Sequence, residues 1–312
     1  MPTKGRNILI ALCSAVLMAA LLRGCVVTSY LIPSTGMENT LYQGERIWVN
    51  KWSYGYRLPW MRLWGYHRWC EAPVYRDEVV VFNNPANYTT TPLSRREVFI
   101  GRCIGIPGDT LLIDSLYTVD SSNRFAPDSK ILYRYPHSRV ALLDSLLLLL
   151  HIPQGRLMGK DSTHCFRSFS RYEHYLLEQA MNGQCWLTPA DPQDSAQQLH
   201  PLIVPGRNRP VRVYPWNITL LRNTLVLHEG KQAEIRHDTL YVEGKPTQHC
   251  TFTKNYYWVC ANNSVNLSDS RLFGFVPQDH LIGRATRVWF SKEPESSLFS
   301  GYRWHRIGKK IE

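Results

Sequence analysis

Residues 32–41 carry two adjacent hydroxyls, Ser34 and Thr35, on a stretch bounded by Pro33 and Leu41. A hydroxyl attacks a carbonyl only when a base within hydrogen-bond reach takes its proton. No lysine lies between Lys51 and Lys130, so a base would have to come from a distant segment. His67, His164 and Asp269 are the other groups to weigh, and each is equally at home as a surface or structural residue. The eight cysteines show neither C-x-x-C nor Cys/His ligand spacing, so neither a metal nor a cofactor is expected. Six of them lie beyond the N-terminal apolar run, where an exported location permits disulfides, and Cys250 with Cys260 is the first pairing to expect. The alternative is that all six are thiols packed as small hydrophobes.

The whole-chain numbers narrow the setting for that chemistry. With 44% hydrophobic and 20% charged residues among 312, the chain is an ordinary globular sequence that can bury a core without covalent staples. Its net charge of +11 points to anionic partners. Between Trp48 and Trp69, Trp48, Trp52, Tyr54, Tyr56, Trp60, Trp64, Tyr66 and Trp69 alternate with Lys51, Arg57, Arg62, His67 and Arg68. Half-wet rings beside cations suit a lipid headgroup layer. Packing of the same rings into a core is the competing reading, and no nucleic acid partner is expected.

Lys4 and Arg6 precede an uncharged run over residues 8–22. As a helix this run is about 22 Å long, short of the roughly 30 Å hydrocarbon layer. Arg23 and Gly24 interrupt it, and residues 25–32 are again mostly apolar. A basic start with a 15-residue apolar run also describes a cleavable signal peptide, and Leu22-Arg23-Gly24-Cys25 imitates a lipoprotein box. An uncleaved anchor over residues 8–31 is the reading adopted, with residues 1–7 cytoplasmic and the remainder outside.

Beyond the anchor, residues 46–51, 78–82, 97–106 and 111–113 read as strands, with a tight turn at Pro107-Gly108-Asp109-Thr110. Residues 114–210 change character. Residues 140–150 and 172–181 read as helices amid Pro, Ser, Asp and Gln. A β-rich section resumes at Val211, with a hairpin turn at Glu243-Gly244-Lys245. The fold class expected is mainly β: an antiparallel sheet in two parts, 32–113 and 211–312, around a partly helical inserted subdomain at 114–210.

Three boxes carry a family resemblance. Residues 32–41 read Ile-Pro-Ser-Thr-Gly-Met-Glu-Asn-Thr-Leu, similar to the Pro-Ser-x-Ser-Met-x-Pro-Thr-Leu pattern of bacterial signal peptidase I. Residues 99–109, Phe-Ile-Gly-Arg-Cys-Ile-Gly-Ile-Pro-Gly-Asp, resemble its Tyr-Ile-Lys-Arg-x-x-Gly-x-Pro-Gly-Asp. Residues 257–284 resemble the box around Asn-Ser-x-Asp-Ser-Arg-x-x-Gly-x-Val-Pro and its Gly-Arg end, with Asp269, Ser270, Arg271, Gly274, Val276 and Pro277 in register. The resemblance implies a single-pass protein of the bacterial inner membrane, its N-terminus cytoplasmic and its main domain periplasmic. Arg23 falls where these anchors commonly carry an arginine.

The departures fall where the reaction would occur. The family's nucleophilic serine aligns with Gly36 and its general-base lysine with Gly101, so no catalytic residue is intact. Gly-Asp-Asn-Arg becomes Ala261-Asn262-Asn263-Ser264, and the serine that supports the lysine becomes Leu267. By resemblance, Ser34 and the Gly36 backbone N–H are oxyanion-type donors. Ile32, Pro33, Met37, Leu41, Phe99 and Ile100 line a peptide groove, and Arg102, Asp269 and Arg271 are structural. The implied function is an inactive homologue that binds signal-peptide-like extended segments or a partner peptidase. The alternative is an active endopeptidase with non-standard residues. Its partners would be membrane lipid, signal-peptide-like peptides or exported preproteins, and an active signal peptidase.

Overall fold

The computed structural model describes all residues except 1–6, 9, 16–25, 58–66, 87–91, 114–129, 151, 153–156, 182–184, 191–198, 264–267 and 312. Its strands are β1 (Val27–Leu31), β2 (Glu45–Asn50), β3 (Val79–Asn83), β4 (Val98–Gly105), β5 (Thr110–Ile113), β6 (Lys130–Pro136), β7 (His164–Ser170), β8 (His200–Ile203), β9 (Tyr256–Cys260), β10 (Val276–Pro277) and β11 (Leu281–Ser291). The helices that concern the site are α1 (Val140–Leu149), α2 (Arg171–Ala180), α3 (Ile218–His228) and α4 (Ser270–Phe273). Short strands and turns complete the chain.

One seven-stranded antiparallel sheet runs in the order β1-β2-β11-β3-β4-β9-β10. In β2, Ile47 and Val49 are buried while Arg46 and Trp48 are exposed, the alternation of a strand covered on one face. β3 is buried at every residue, and its Val79 and Val81 pack with Ile32, Met37 and Leu41 while Val80 and Phe82 pack with Cys103 and Val259 on the other face. Both faces of the sheet's centre are therefore covered. The turn expected at residue 107 is present, with Gly108 at φ 93, a left-handed angle that glycine adopts freely.

The inserted region has a sheet of its own. β6 pairs with β7 along its whole length, flanked by Thr188–Pro189 and Gly159–Lys160. α1 and α2 pack on it through Leu143, Leu147 and Leu177 around Tyr133, Tyr135 and Phe169, a core drawn only from the insert. α2 starts where its sequence demands: Ser170 caps the helix and Glu173 closes the capping box. β8 pairs with β5 and buries Leu202 beside Leu111. The chain thus rejoins the main core at His200, ahead of residue 210.

Three expectations change. Val27–Leu31 is a strand paired with β2, so a helical anchor does not reach residue 31. Residues 10–15 are helical, but among the described residues no helix is long and apolar enough to cross a membrane, and Arg23, Gly24 and Cys25 lie outside them. The section after Val211 is not uniformly β: α3 buries Ile218, Leu221 and Leu225 against Trp258 and Phe275, a helical spacing the strand reading passed over. Cys250 and Cys260 are not paired; both are free thiols buried in one core cluster. Burial pushes them up to about 11 and about 12 respectively, so they stay protonated.

At the end of α3, His228 stacks edge-on with His280 at 5.4 Å between centroids. Asp279 Oδ1 lies 2.9 Å from His280 Nδ1, and Lys254 Nζ donates to Asp279 Oδ2 at 2.8 Å. Burial, then the neighbouring His280, lowers His228 to about 3, and burial also lowers His280. Burial alone would raise Asp279, but its bonds from His280 and Lys254 hold it below the usual carboxylate range. Two histidines buried neutral bind protons in the unfolded chain first. Stability is therefore full above about pH 6.5 and falls as pH drops toward 3, by about 1.4 kcal/mol per pH unit for each group still neutral in the fold. Thermal unfolding across that window should show this slope, and His228→Phe should remove close to one proton's share; an unchanged slope would contradict the assignment.

Candidate functional site

The site forms where the chain leaves β9. Asp269, 1% exposed, accepts from Ala261 N at 2.9 Å and from Arg271 N and Nε at 3.0 Å. Ser270 Oγ accepts from Val259 N at 2.9 Å. A carboxylate receiving two backbone N–H groups and a guanidinium is a strong anchor, and it fixes residues 259–263. From that path Asn263 N donates to Gly36 O at 3.0 Å. Asn262 Nδ2 donates to Glu38 O at 3.2 Å and to Thr40 Oγ1 at 2.7 Å. Arg102 completes the frame, donating to Asp77 O at 2.7 Å and to Thr40 Oγ1 at 2.9 Å. Asp269 pairs with Arg271, and Arg102 turns to Thr40.

Residues 34–41 form successive turns rather than an extended run, with Glu38 N bonded to Thr35 O at 3.1 Å and Leu41 N to Met37 O at 2.6 Å. Gly36 and Met37 are buried and Ser34 is exposed. Gly36 N faces Ser34 Oγ at 3.5 Å, so the two donors grouped by resemblance lie against each other.

Gly101 borders the same strand exit. A Cβ added there would lie 2.6 Å from Val259 Cγ1 and 3.1 Å from the Cys260 carbonyl oxygen. The space a lysine side chain would leave through is filled by β9. Both glycines therefore lie along one short path, Gly101 beside Val259 and Cys260 and Gly36 bonded to Asn263. Leu267 lies outside the described residues.

The groove residues divide. Ile32, Met37 and Leu41 are at most 3% exposed, and Ile100 packs partly buried against their cluster. They make a floor rather than open walls, while Pro33 is exposed above them. Phe99 points to the opposite face of β4, stacked on Phe273 at 5.9 Å. Adjacent strand residues cannot share a face, so Phe99 leaves the group and Ile100 remains.

The edge of β4 is half open. β9 pairs with it at Arg102, Cys103 and Gly105, and residues 98–101 have a strand neighbour only in β3 among the described residues. Bonds from Asp77 N to Cys103 O and from Asn84 N to Glu97 O show the odd-numbered residues facing β3. The backbone groups of Val98 and Ile100 consequently face the open side.

Of the candidate bases, His67 and His164 belong to other regions: His67 immediately precedes Arg68–Trp69, which pairs with Tyr56–Arg57, and His164 lies in β7 beside Asp161. The sequence passed over the amine that does reach the centre. Lys130 Nζ lies 3.2 Å from Glu38 Oε2 and 3.4 Å from Glu173 Oε1, with its side chain 1% exposed. Its near neighbours are thus two carboxylates, one from the 34–41 turns and one from the start of α2. Its one visible signal is its position as the first lysine after Lys51, immediately before an alternating β run.

Fold and site together define a mainly antiparallel β scaffold in which Gly36 and Gly101 border one strand exit. A sequence model of the family described as signal peptidase, peptidase S26, matches residues 5–128 and 224–290. The chain is 23% identical over 294 residues to a signal peptidase I of Buchnera aphidicola subsp. Schizaphis graminum, covering 92% of this chain and 76% of that protein. It is 22% identical over 313 residues to a signal peptidase I of Helicobacter pylori strain J99, covering 92% and 86%. A stretch of 71 residues is 32% identical to a signal peptidase I of Haemophilus influenzae, 22% of this chain and 20% of that one. The chain belongs to the signal peptidase family, peptidase S26.

Gly101→Ala should destabilise the fold by about 1–3 kcal/mol, the usual cost of overpacking a filled site. Val259→Ala in the same chain should recover part of that loss, so the two effects should not add. Urea unfolding of the two single variants and the double variant measures the coupling, and a neutral Gly101→Ala would mean that β9 gives way freely.

Proposed function

We propose that this signal peptidase family member is catalytically inactive and binds signal-peptide-like extended segments, free or within exported preproteins, at the outer face of the bacterial inner membrane. The observation that carries the reading is the open edge of β4 at Val98 and Ile100, above a floor of Ile32, Met37 and Ile100, beside two glycines where a nucleophile and base would stand. An extended peptide completes such an edge with main-chain hydrogen bonds, and the floor selects its side chains. The filled space at Gly101 supports inactivity, because it opposes any lysine entering there.

Lipid contact is the second element of the proposal. The aromatic stretch divides: Tyr54 and Tyr56 are buried, whereas Trp48, Trp52 and Trp69 are exposed, and Trp60, Trp64 and Tyr66 lie outside the described residues. Trp48 stacks with Trp289 at 6.5 Å between centroids. Phe299 is 94% and Trp304 73% exposed, near Lys292 and Arg303. Exposed rings with nearby cations suit a headgroup layer. An N-terminal anchor with its cytoplasmic start keeps the groove on the outer side, where a partner peptidase would also meet it.

Full-length protein in anionic vesicles should bind peptides with small residues at the first and third positions before a cleavage point, without cutting them. Val98→Pro removes one N–H from the open edge and none from the β3 ladder. It should weaken binding by about tenfold or more without changing the unfolding temperature. Gly36→Ser with Gly101→Lys should remain silent unless Val259 is also reduced to alanine. Absence of saturable binding ends this reading, and turnover by the unaltered protein replaces it with the active peptidase.

A further inference from the structure

The insert does not merely sit beside the site; it contributes a charge to it. Lys130 opens β6, and its backbone N–H donates to Asn262 O at 2.6 Å. Its ammonium contacts two carboxylates from distant stretches of the sequence. Glu38 belongs to the turns that carry Gly36 and Met37. Glu173 belongs to the first turn of α2, where its other oxygen accepts Ser170 N at 2.7 Å and closes the helix cap. One buried cation therefore joins the turn under the groove to the start of an insert helix. Withdrawing the lysine leaves two buried carboxylates without the cation they share, which is strongly destabilising.

The main-chain contacts run the same way. Asn263 binds Gly36 while Asn262 binds Glu38 and Lys130, so the turn is held by β9 on one side and by the insert on the other. Met37 lies between those two restraints and is part of the groove floor. Among the described residues, no other insert side chain has an ion pair to the 32–41 segment.

We propose that the Glu38–Lys130–Glu173 contact is a latch through which the insert regulates the peptide groove. Lys130 is a positioning residue: with the latch closed the turn at 34–41 holds Met37 beneath the open edge of β4, and with it broken the floor loosens and extended segments bind weakly. Linkage makes the effect reciprocal, so a bound peptide steadies the start of α2. The regulatory part rests on the groove reading, and the coupling of turn to insert does not.

Hydrogen exchange on the full chain in anionic vesicles separates the two. Lys130→Met should speed exchange by about tenfold or more at residues 35–41 and at residues 171–175 together. Lys130→Arg should restore both. Saturating small-residue peptide should slow exchange at residues 171–175 in the unaltered protein and not in Lys130→Met. If Lys130→Met does not fold, Glu38→Gln/Lys130→Met/Glu173→Gln carries the same comparison with no buried charge left over. Faster exchange in the insert with the turn unchanged, or no response in either, overturns the latch. Should the unaltered protein bind no peptide, the groove reading falls, and joint or separate exchange of the two segments alone decides the coupling.

Discussion

Asp269 gathers two backbone N–H groups and the Arg271 guanidinium in a position 1% exposed, and this fixes the course of residues 259–263. The contacts around the centre follow from that course. Val259 presses on Gly101, Asn262 and Asn263 hold the turn at Gly36, and Asn262 O receives Lys130. Losing the Asp269 charge would free the strand exit and, with it, three separate segments at once. The site is best understood as one strand end with its attachments.

Charge has been kept here for architecture. Glu45, fully buried, binds Arg306 Nε at 2.8 Å and accepts from Ser291 Oγ at 3.0 Å, tying the C-terminal tail to the start of β2. Arg284 binds Glu78, and Tyr54 donates its hydroxyl to the same carboxylate at 3.0 Å. Such pairs cost desolvation and repay it only with close geometry and further hydrogen bonds. Each has those bonds. Gly36 and Gly101 have no side chain to pair, and Lys130 contacts the carboxylates of Glu38 and Glu173, so the buried charges described here join separate segments of the chain.

The parts legible in the sequence were those governed by local pattern. The strands at residues 46–51, 78–82 and 97–106 and the helices at 140–150 and 172–181 appear within a residue or two, because alternation, capping and turn residues are local signals. The helix at Ile218–His228 was hidden by a surrounding β-rich context, although Asn217 and the spacing of Ile218, Leu221 and Leu225 carry its signature. Which groove residues share a face required the strand itself, since Phe99 and Ile100 are neighbours in sequence and opposites in space. Lys130 was illegible for a deeper reason. Its partners lie 92 residues before it and 43 after it, and nothing in the composition around any of the three marks a meeting.

The sheet's layout has a consequence for assembly. β11 stands between β2 and β3 yet comes some 200 residues after them, so the sheet cannot close until nearly the whole chain exists. Pairings over such separations form late because loop entropy must be lost first. The insert, whose core draws only on its own residues, has no such wait. Its β6–β7 pairing joins residues no more than 40 apart, from Pro136 with His164 to Lys130 with Ser170, so it carries a smaller loop-entropy cost than the closure at β11.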